Sequence, residues 1–291
     1  MGYLMSPKII GLICAFGCES WISYSIKQAL EFCDDVYVNI SAHSSILNKY
    51  EDNTHNIARD FGKDINLIDI NFNQSNHALI KPAILNYMMA LSPYFSVGNW
   101  IWVFDSDEYY TINGYKTIQD IVYSNRFNEI LMEEYYFYIN TKKYLEGSHP
   151  RLFKIEEINI NPNYRFVPAQ RWTVIDKRSY TLDRDLGMRH YGMLQNPNMK
   201  LDMWKTEYPN KSQDNKVTWI DTIYRKYNLD DEETWISENE RMFGIKSPWF
   251  SSSFVPDKGG KLFTYNGDIP TFLKDSGFDK IEDFRKEYNF I

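Results

Sequence analysis

The chain has few cysteines, no long apolar run and no excess of positive charge. Its 291 residues include three cysteines, a small and odd number that argues against a disulfide framework and favours a reducing, cytoplasmic compartment. Cys14 and Cys18 have no second pair downstream, so we expect no structural zinc site. No segment reaches the roughly 18 apolar residues that span a bilayer, and the first residues lack the pattern of a secretory signal.

Positive charge is the second shortage. The chain has 32 Lys and Arg against 39 Asp and Glu, a formal net charge of −7. Non-specific binding of duplex nucleic acid depends on excess basic residues, so we do not expect that mode. Aromatic residues are abundant, with 22 Tyr, 18 Phe and 8 Trp, which suggests flat stacking surfaces as well as core packing.

Strand and helix patterns alternate through the first 105 residues. Apolar runs predict strands at residues 8–15, 36–40, 65–70 and 100–104, and helical spacing predicts helices at residues 20–32, 52–61 and 78–91, with Pro82 in a first turn. Continuous apolar runs indicate strands that are covered on both faces. We therefore predict an α/β fold with a mostly parallel, Rossmann-like sheet flanked by helices.

The pattern changes after Tyr110. It predicts strands at residues 129–140, 151–155 and 172–175, then helices at residues 199–208, 216–226, 232–243 and 280–288. Tryptophans in this half of the chain are expected mainly to pack in a core. We predict an α/β core at residues 1–195 and a helical C-terminal extension at residues 196–291 that packs on it.

Three carboxylates, Asp105, Asp107 and Glu108, directly follow the fourth predicted strand. Open parallel sheets bind ligands at the carboxyl ends of their strands. Asp105 and Asp107 can point toward one ion if the chain turns there, and their oxygens suit Mg²⁺ or Mn²⁺, which in turn bind diphosphates. The alternative is a solvated acidic turn.

The sequence resembles the nucleotide-sugar glycosyltransferases of the GT-A fold, close to family 2 and its related bacterial and phage members. The similar elements are the opening strand–helix–strand (residues 8–41), the basic-to-Asn helix start (81–86) and the apolar strand with Asp-x-Asp-Glu (100–110). The Pro-Arg-Leu-Phe-Lys strand (150–154) and the His-Tyr-Gly element (190–192) are similar as well. The resemblance implies a GT-A fold and transfer of a sugar from a nucleotide-diphosphate sugar, with a UDP-sugar expected, to a hydroxyl of a glycan or other saccharide.

The resemblance also implies a metal site. Asp105 and Asp107 would hold Mn²⁺ or Mg²⁺ and contact the sugar nucleotide. His190 would supply a third ligand, which suits Mn²⁺ because imidazole tolerates it better than Mg²⁺. The ion would offset charge on the departing nucleotide diphosphate, which makes Asp107 catalytic as well. The alternative for His190 is a structural histidine.

Five further residues would bind the donor. Phe16, Glu19 and Asn39 lie near the ends of the first two strands, where the family binds base and ribose, and Phe16 could stack on the base. Lys81 and Arg151 could clamp the diphosphate, because guanidinium groups suit bidentate phosphate contacts; surface salt bridging is the alternative. The family often has an Asp followed by Ser-x-Asp where this chain has Asn39, which leaves the nucleotide open.

An inverting transfer also requires a carboxylate within hydrogen-bond reach of the acceptor hydroxyl. The candidates are Glu133 and Glu134 on the strand after the acidic motif, and Asp183 and Asp185 before the His-Tyr-Gly element. Among them we favour Glu134 and Asp185. A retaining mechanism would need no such base.

Three other functions stay open. A phage-type enzyme of the same chemistry would glycosylate hydroxymethylated bases in DNA, in a host cytoplasm, through a local basic groove and stacking of a flipped base. A non-catalytic GT-A-like domain would bind sugar nucleotides without turnover. A nucleotidyltransferase ranks last, because Phe16 and the residues after it lack the expected glycine-rich loop.

Overall fold

The computed structural model divides the chain into two compact units. It describes residues 6–42, 45–70, 77–156, 166–167, 171–172, 176–206, 217–226, 231–246 and 262–289. The first unit comprises Met1–Glu133 and His149–Met188, and the second comprises Glu134–Ser148 and Arg189–Ile291. The domain boundary at residue 195 stays a prediction.

Parallel strands form the centre of the first unit. They are β1 (Ile9–Cys14), β2 (Asp35–Asn39), β3 (Asn66–Ile68) and β4 (Trp100–Asp105). β1 pairs in parallel with both β2 and β4, and β2 pairs in parallel with β3, so the order is β3-β2-β1-β4. The connecting helices are α1 (Glu19–Phe32), α2 (Thr54–Arg59) and α3 (His77–Leu91). The predicted α/β fold with a mostly parallel, helix-flanked sheet is confirmed.

Both faces of these strands are covered, as their continuous apolar runs predict. On one face, Ile84 and Met88 of α3 belong to the same buried cluster as Leu12 and Val103. On the other face, the ring of Trp102 stacks on Phe32 of α1 at a centroid distance of 5.7 Å. Burial of this apolar surface is the main stabilising term of the unit.

Further elements of the first unit follow β4. β5 (Glu108–Tyr110) comes after a two-residue turn, and α4 (Ile112–Ser124) comes next. Two long strands, β6 (Glu129–Tyr138) and β7 (Asn140–Lys154), have residues in both units. The short strands β8 (Phe166–Val167), β9 (Arg171–Trp172), β10 (Ser179–Leu182) and β11 (Met188–His190) complete the sequence of strands up to the second unit. Near its end, β7 pairs antiparallel with β4.

The second unit contains short helices around an aromatic core. Its elements are a 3₁₀ turn (Gly192–Leu194), α5 (Pro197–Thr206), a π-helical turn (Ile220–Tyr224), α6 (Glu232–Phe243), β12 (Phe263–Thr264), α7 (Thr271–Asp275), a 3₁₀ turn (Phe278–Lys280) and α8 (Phe284–Glu287). Trp204, Trp219 and Trp235 are buried in one cluster with Tyr138 and Tyr224. These tryptophans pack in a core, as expected. None of the helices that the structure describes is long and apolar enough to cross a bilayer.

Several predicted elements differ from those observed. Helix α4 was not predicted; Thr111 starts it by accepting a hydrogen bond from the Gly114 amide at 3.0 Å. The strand predicted at residues 151–155 is only the end of the 15-residue β7. The helix predicted at residues 280–288 is a single turn, because Ile281 is extended. Pro82 lies one turn further into α3 than predicted, and residues 173–175 of a predicted strand lie outside the described residues.

Asn128 joins three segments of the first unit just before β6. Its side chain is fully buried. Its amide nitrogen donates to a carboxylate oxygen of Glu156 at 3.0 Å and to the carbonyl oxygen of Asp176 at 2.6 Å, and its amide oxygen accepts from the backbone N–H of Arg178 at 2.8 Å. Since all these polar groups depend on one side chain, Asn128 should contribute strongly to stability.

We predict that Asn128→Ala lowers the free energy of unfolding by about 2 kcal/mol or more, because it leaves several polar groups without a partner. Urea denaturation of the whole chain measures the change. Asn113→Ala, at an exposed position of α4, is the control and should stay within about 0.5 kcal/mol of the wild type. Equal urea midpoints for the two variants would contradict this role of Asn128.

Candidate functional site

Three residues of the candidate site lie side by side at the carboxyl ends of parallel strands. Cys14, the last residue of β1, pairs in register with Asn39 of β2 on one side and with Asp105 of β4 on the other. This is the edge of the sheet at which open α/β folds bind ligands. The structure therefore brings Asn39 and Asp105 to one edge, as the sequence predicts.

Both carboxylate oxygens of Asp105 accept hydrogen bonds from cationic side chains. Nζ of Lys81 on α3 donates to Oδ1, and Nη2 of Arg151 on β7 donates to Oδ2 at 2.9 Å. Lys81 and Arg151 are both buried, whereas Asp105 is partly exposed. The predicted acidic residue and the two predicted phosphate-binding cations thus form one ion-pair network in the first unit.

Glu108 is the second anion of this network. Arg151 donates from Nε to Oε2 at 3.1 Å and from Nη2 to Oε1 of Glu108. Oε2 also accepts from the Tyr110 hydroxyl at 2.8 Å and from the backbone N–H of Asp105 at 3.2 Å. These bonds fix the turn between β4 and β5, which carries the rest of the acidic motif.

Nearby carboxylates favour the charged forms of both cations of the network. Burial lowers the pKa of Lys81, but the nearby Asp105 outweighs it, and the pKa lies above its ordinary value. Burial also lowers the pKa of Arg151, yet Glu108 and Asp105 raise it well above its ordinary value. The formal charges of the two cations and two carboxylates sum to zero. Removing any one of the four groups would leave an uncompensated charge in a buried setting, which is strongly destabilising.

Asp107 has a different environment from Asp105, although the two are separated by a single residue. It is buried in the turn after β4. Burial raises the pKa of the Cys18 thiol to about 12, and the negative charge of Asp107 contributes to that rise. Asp105, by contrast, is partly exposed and bonded to Lys81 and Arg151.

The predicted nucleoside-binding residues lie close to the same edge. Phe16 lies two residues after the end of β1 and is partly buried, and Glu19 is the exposed first residue of α1. A carboxylate oxygen of Glu19 accepts from the backbone N–H of Asn53 at 3.0 Å, which ties α1 to the start of α2. The amide nitrogen of Asn39 has no acceptor among the described residues, so a buried donor remains at this edge. The roles of Phe16, Glu19 and Asn39 stay predictions.

His190 and Glu134 form a buried pair in the second unit. Nδ1 of His190 lies 3.0 Å from Oε2 of Glu134, whose side chain has no exposed surface. The ring of Tyr136 packs edge-on against the imidazole at a centroid distance of 4.7 Å. A buried carboxylate on one ring nitrogen is the usual way to fix the orientation of a functional histidine. The role of His190 as a metal ligand stays a prediction.

Two glycines make room for this pair. A Cβ atom at Gly147 would lie 2.2 Å from Oε1 of Glu134, and one at Gly192 would lie 2.7 Å from Nε2 of His190. Nζ of Lys200, a residue that the sequence did not single out, donates to the Gly192 carbonyl oxygen. A side chain in place of the glycine of the His-Tyr-Gly element would therefore clash with the imidazole of His190.

The two favoured base candidates differ in accessibility. Asp185 is exposed in the loop before β11, and its backbone N–H donates to Asp183 at 2.9 Å. Glu134 is fully buried and bonded to His190. A base must reach the acceptor hydroxyl directly or through one water, so Asp185 has the exposure that this task requires. Which of them acts as the base stays a prediction.

The two aspartates differ in how well their carboxylates suit binding of a divalent cation. Oxygen ligands suit Mg²⁺ and Mn²⁺, and the Asp107 carboxylate fits that requirement. Asp105 fits it less well, because each of its oxygens already accepts from a cation. Glu108 contributes a further carboxylate, yet it is bonded to Arg151 in the same way.

We predict that Gly147→Ala moves Glu134 away from His190, because the added methyl group overlaps the carboxylate. The imidazole ¹⁵N and ¹H NMR signals of His190, assigned with His190→Gln, should shift, and stability should fall by about 1–3 kcal/mol. Ser148→Ala, at the exposed neighbouring position, should leave both unchanged. A His190 spectrum unaltered in Gly147→Ala would contradict the geometry of the pair.

The comparison with known proteins gives similarities of fold. No known protein family and no curated protein matches the chain. Among solved structures, S. aureus TarS residues 1–349 is similar at 12% identity and a TM-score of 0.42, covering 80% of this chain and 79% of that one. Longer S. aureus TarS is similar at 11% identity and a TM-score of 0.43, covering 86% of this chain and 50% of its own length. A 4-diphosphocytidyl-2C-methyl-D-erythritol synthase is similar at 12% identity and a TM-score of 0.33, covering 52% of this chain and 76% of that one.

Proposed function

We propose that the protein is a metal-dependent glycosyltransferase that moves a sugar from a nucleotide-diphosphate sugar to a hydroxyl acceptor. The observation that carries this proposal is the ion-pair network of Asp105, Glu108, Lys81 and Arg151 at the carboxyl ends of β1 and β4. Buried cations beside an acidic motif suit a ligand that combines a diphosphate with a divalent cation. The resemblance of the sequence to GT-A glycosyltransferases supports the same reaction.

Each residue of the site has a task in this proposal. Lys81 and Arg151 bind the diphosphate, and Asp107 holds Mn²⁺ or Mg²⁺. When bound, such an ion offsets the negative charge that develops on the leaving nucleotide diphosphate. The preorganised cations contribute to the same stabilisation without rearrangement during the reaction.

The remaining roles come from the resemblance and belong to the same proposal. Phe16, Glu19 and Asn39 hold the nucleoside, and His190 completes the ligands of the metal ion. A carboxylate accepts the proton of the acceptor hydroxyl if the transfer inverts the anomeric centre. Asp185 is our first candidate for that base because it is exposed.

We predict that the wild type hydrolyses or transfers the sugar of at least one of UDP-, GDP-, CMP- and dTDP-sugars in the presence of Mn²⁺. Asp107→Asn should lower kcat/KM at least about 100-fold, because the developing charge loses its counter-ion. Product formation is measured by nucleotide release and mass spectrometry. The control is Asp120→Asn, an identical change at an exposed position of α4, which should stay within about twofold.

Two results would overturn this proposal. The first is the absence both of turnover on the whole panel and of nucleotide binding by calorimetry. The second is unchanged turnover in Asp107→Asn. With an active donor in hand, saccharides and hydroxymethylated DNA are compared as acceptors; a nuclease-resistant DNA product would replace the saccharide by DNA as the acceptor class. Nucleotide binding without turnover would favour a non-catalytic domain.

A further inference from the structure

Aromatic rings surround one arginine of the second unit. The residues that form this Arg189 cluster are Arg189 on β11, Tyr135 on β6, Tyr144 on β7, Phe263 on β12 and Tyr265, which directly follows β12. The Arg189 guanidinium lies over the rings of Tyr135 and Tyr265, at 5.7 and 5.9 Å from their centroids. These are distances of favourable cation–π contact.

Arg189 faces away from its chain neighbour His190. Consecutive side chains of a strand point to opposite faces of the sheet. On β6, Glu134 and Tyr136 contact the imidazole of His190, whereas Tyr135 between them packs against the Arg189 guanidinium. The Arg189 cluster is therefore separate from the Glu134–His190 pair, and none of its residues has a role in the proposed function.

The charge of Arg189 lacks a carboxylate partner. Across the part of the chain that the structure describes, Arg189 forms no ion pair, and its Nη1 is buried without an acceptor. Arg285 of the same unit, by comparison, is paired with Asp283 at 2.7 Å. Buried donors without an acceptor are uncommon in folded proteins, and each calls for an explanation. A ligand that brings negative charge to Arg189 would supply one.

The Tyr265 hydroxyl holds the guanidinium in a fixed orientation. It accepts from Nε of Arg189 at 3.0 Å and donates to the carbonyl oxygen of Asp268 at 3.2 Å. A Cβ atom at Gly267 would lie 2.5 Å from this hydroxyl oxygen, so a side chain there would displace it. The planar guanidinium thus has a defined position, and its Nη groups remain as donors for a ligand.

The cluster suits an oxyanion that is carried on a sugar ring. A guanidinium presents parallel N–H donors to the oxygens of a phosphate or a carboxylate. The rings of Tyr144 and Phe263 stack at a centroid distance of 5.5 Å, and both residues are partly exposed. Aromatic surface of this kind can pack against the apolar C–H face of a sugar. The net charge of −7 disfavours a nucleic acid, which would bring many phosphates at once.

We propose that the Arg189 cluster is a binding site for a saccharide that carries a phosphate or carboxylate group. Arg189 binds the oxyanion, and Tyr135, Tyr144 and Phe263 pack against the sugar ring. Such a ligand is compatible with the saccharide acceptor of the proposed function. The site itself does not depend on that function, because it is defined by binding and not by turnover.

The experiment follows binding at the cluster itself by NMR. The ring ¹H–¹³C signals of Tyr265, assigned with Tyr265→Phe, are recorded on the full chain during titration with glucose 6-phosphate, glucuronate, glucose and inorganic phosphate at constant ionic strength. We expect saturable shifts with an anionic sugar and binding at least about tenfold tighter than that of glucose, which cannot form charge-assisted hydrogen bonds. The tighter of the two anionic sugars identifies the oxyanion as phosphate or carboxylate.

Arg189→Gln should weaken binding of the anionic sugar at least about tenfold, because the charge and the paired donors are lost. Arg126→Gln is the matched control, since Arg126 is exposed in the first unit and also lies over an aromatic ring, that of Phe127 at 5.9 Å. This control should stay within about twofold of the wild type.

A second variant covers the case in which Arg189→Gln does not fold. Tyr144→Leu keeps an apolar side chain at a partly exposed position and removes the flat ring. Binding of the anionic sugar should become about threefold weaker or more, because the ring no longer packs against the sugar. Binding of inorganic phosphate, which makes no use of the ring, should stay within about twofold.

Several outcomes would overturn the inference. They are the absence of saturable Tyr265 shifts with both anionic sugars, binding of glucose as tight as theirs, equal binding by Arg189→Gln and the wild type, and unchanged sugar binding in Tyr144→Leu. Tighter binding of single-stranded oligothymidylate than of either anionic sugar would assign the cluster to nucleic acid instead. Failure of sugar-nucleotide turnover is a separate result, and it would leave a site with the expected binding pattern in place.

Discussion

The ion-pair network around Arg151 constrains the candidate site more than any other interaction in the first unit. One guanidinium bonds Asp105 at the end of β4 and Glu108 at the start of β5, so the turn that carries Asp107 has a fixed shape. Breaking one partner of a buried ion pair is far more destabilising than the pair is stabilising, because a charge is left uncompensated. The network is therefore weak evidence for stability; in the proposed function, its geometry serves a ligand.

In the second unit, a buried pair is held in place by close packing against glycines rather than by a network of ion pairs. Glu134 is completely buried and bonded to His190, and glycines at positions 147 and 192 occupy the places where a side chain would clash with them. The aromatic cluster that includes Tyr136 and Trp204 forms the surrounding core. Such packing limits the rotamers of the imidazole, which is what a residue with a precise binding task requires.

The sequence predicts the parts of the fold in which local pattern and burial agree. β1 and β4 are continuous apolar runs with both faces covered, and their predicted limits differ from those observed by at most one residue at each end. β7 was truncated in the prediction because Gly147 and Pro150 are typical of loops. Helix α4 was missed although Thr111 is a favourable N-cap residue and its buried positions Ile118, Ile121 and Val122 recur at helical spacing.

The site was predictable in its residues but not in their pairing. Asp105 and Asp107 could be found because they follow an apolar strand, and Lys81 and Arg151 because they resemble family positions. Spacing gave no means of telling that Arg151 bonds a carboxylate 46 positions earlier in the chain. Nor could spacing show that Asp107 is buried whereas Asp105 is partly exposed.

The pairing also explains how a chain with a net charge of −7 can be suited to an anionic ligand. Association with a polyanion through a basic surface depends on the total charge, whereas binding of one diphosphate depends on the charges within a few ångströms. At that range the network of Lys81, Arg151, Asp105 and Glu108 is neutral, and its cations are oriented in advance. A nearby carboxylate lowers the cost of burying two cations. In the proposed function, a diphosphate would take the place of that carboxylate and accept hydrogen bonds from cations that are already oriented. Under the proposed function, the acidic residues of the motif would thus favour anion binding, because they keep buried positive charge in place.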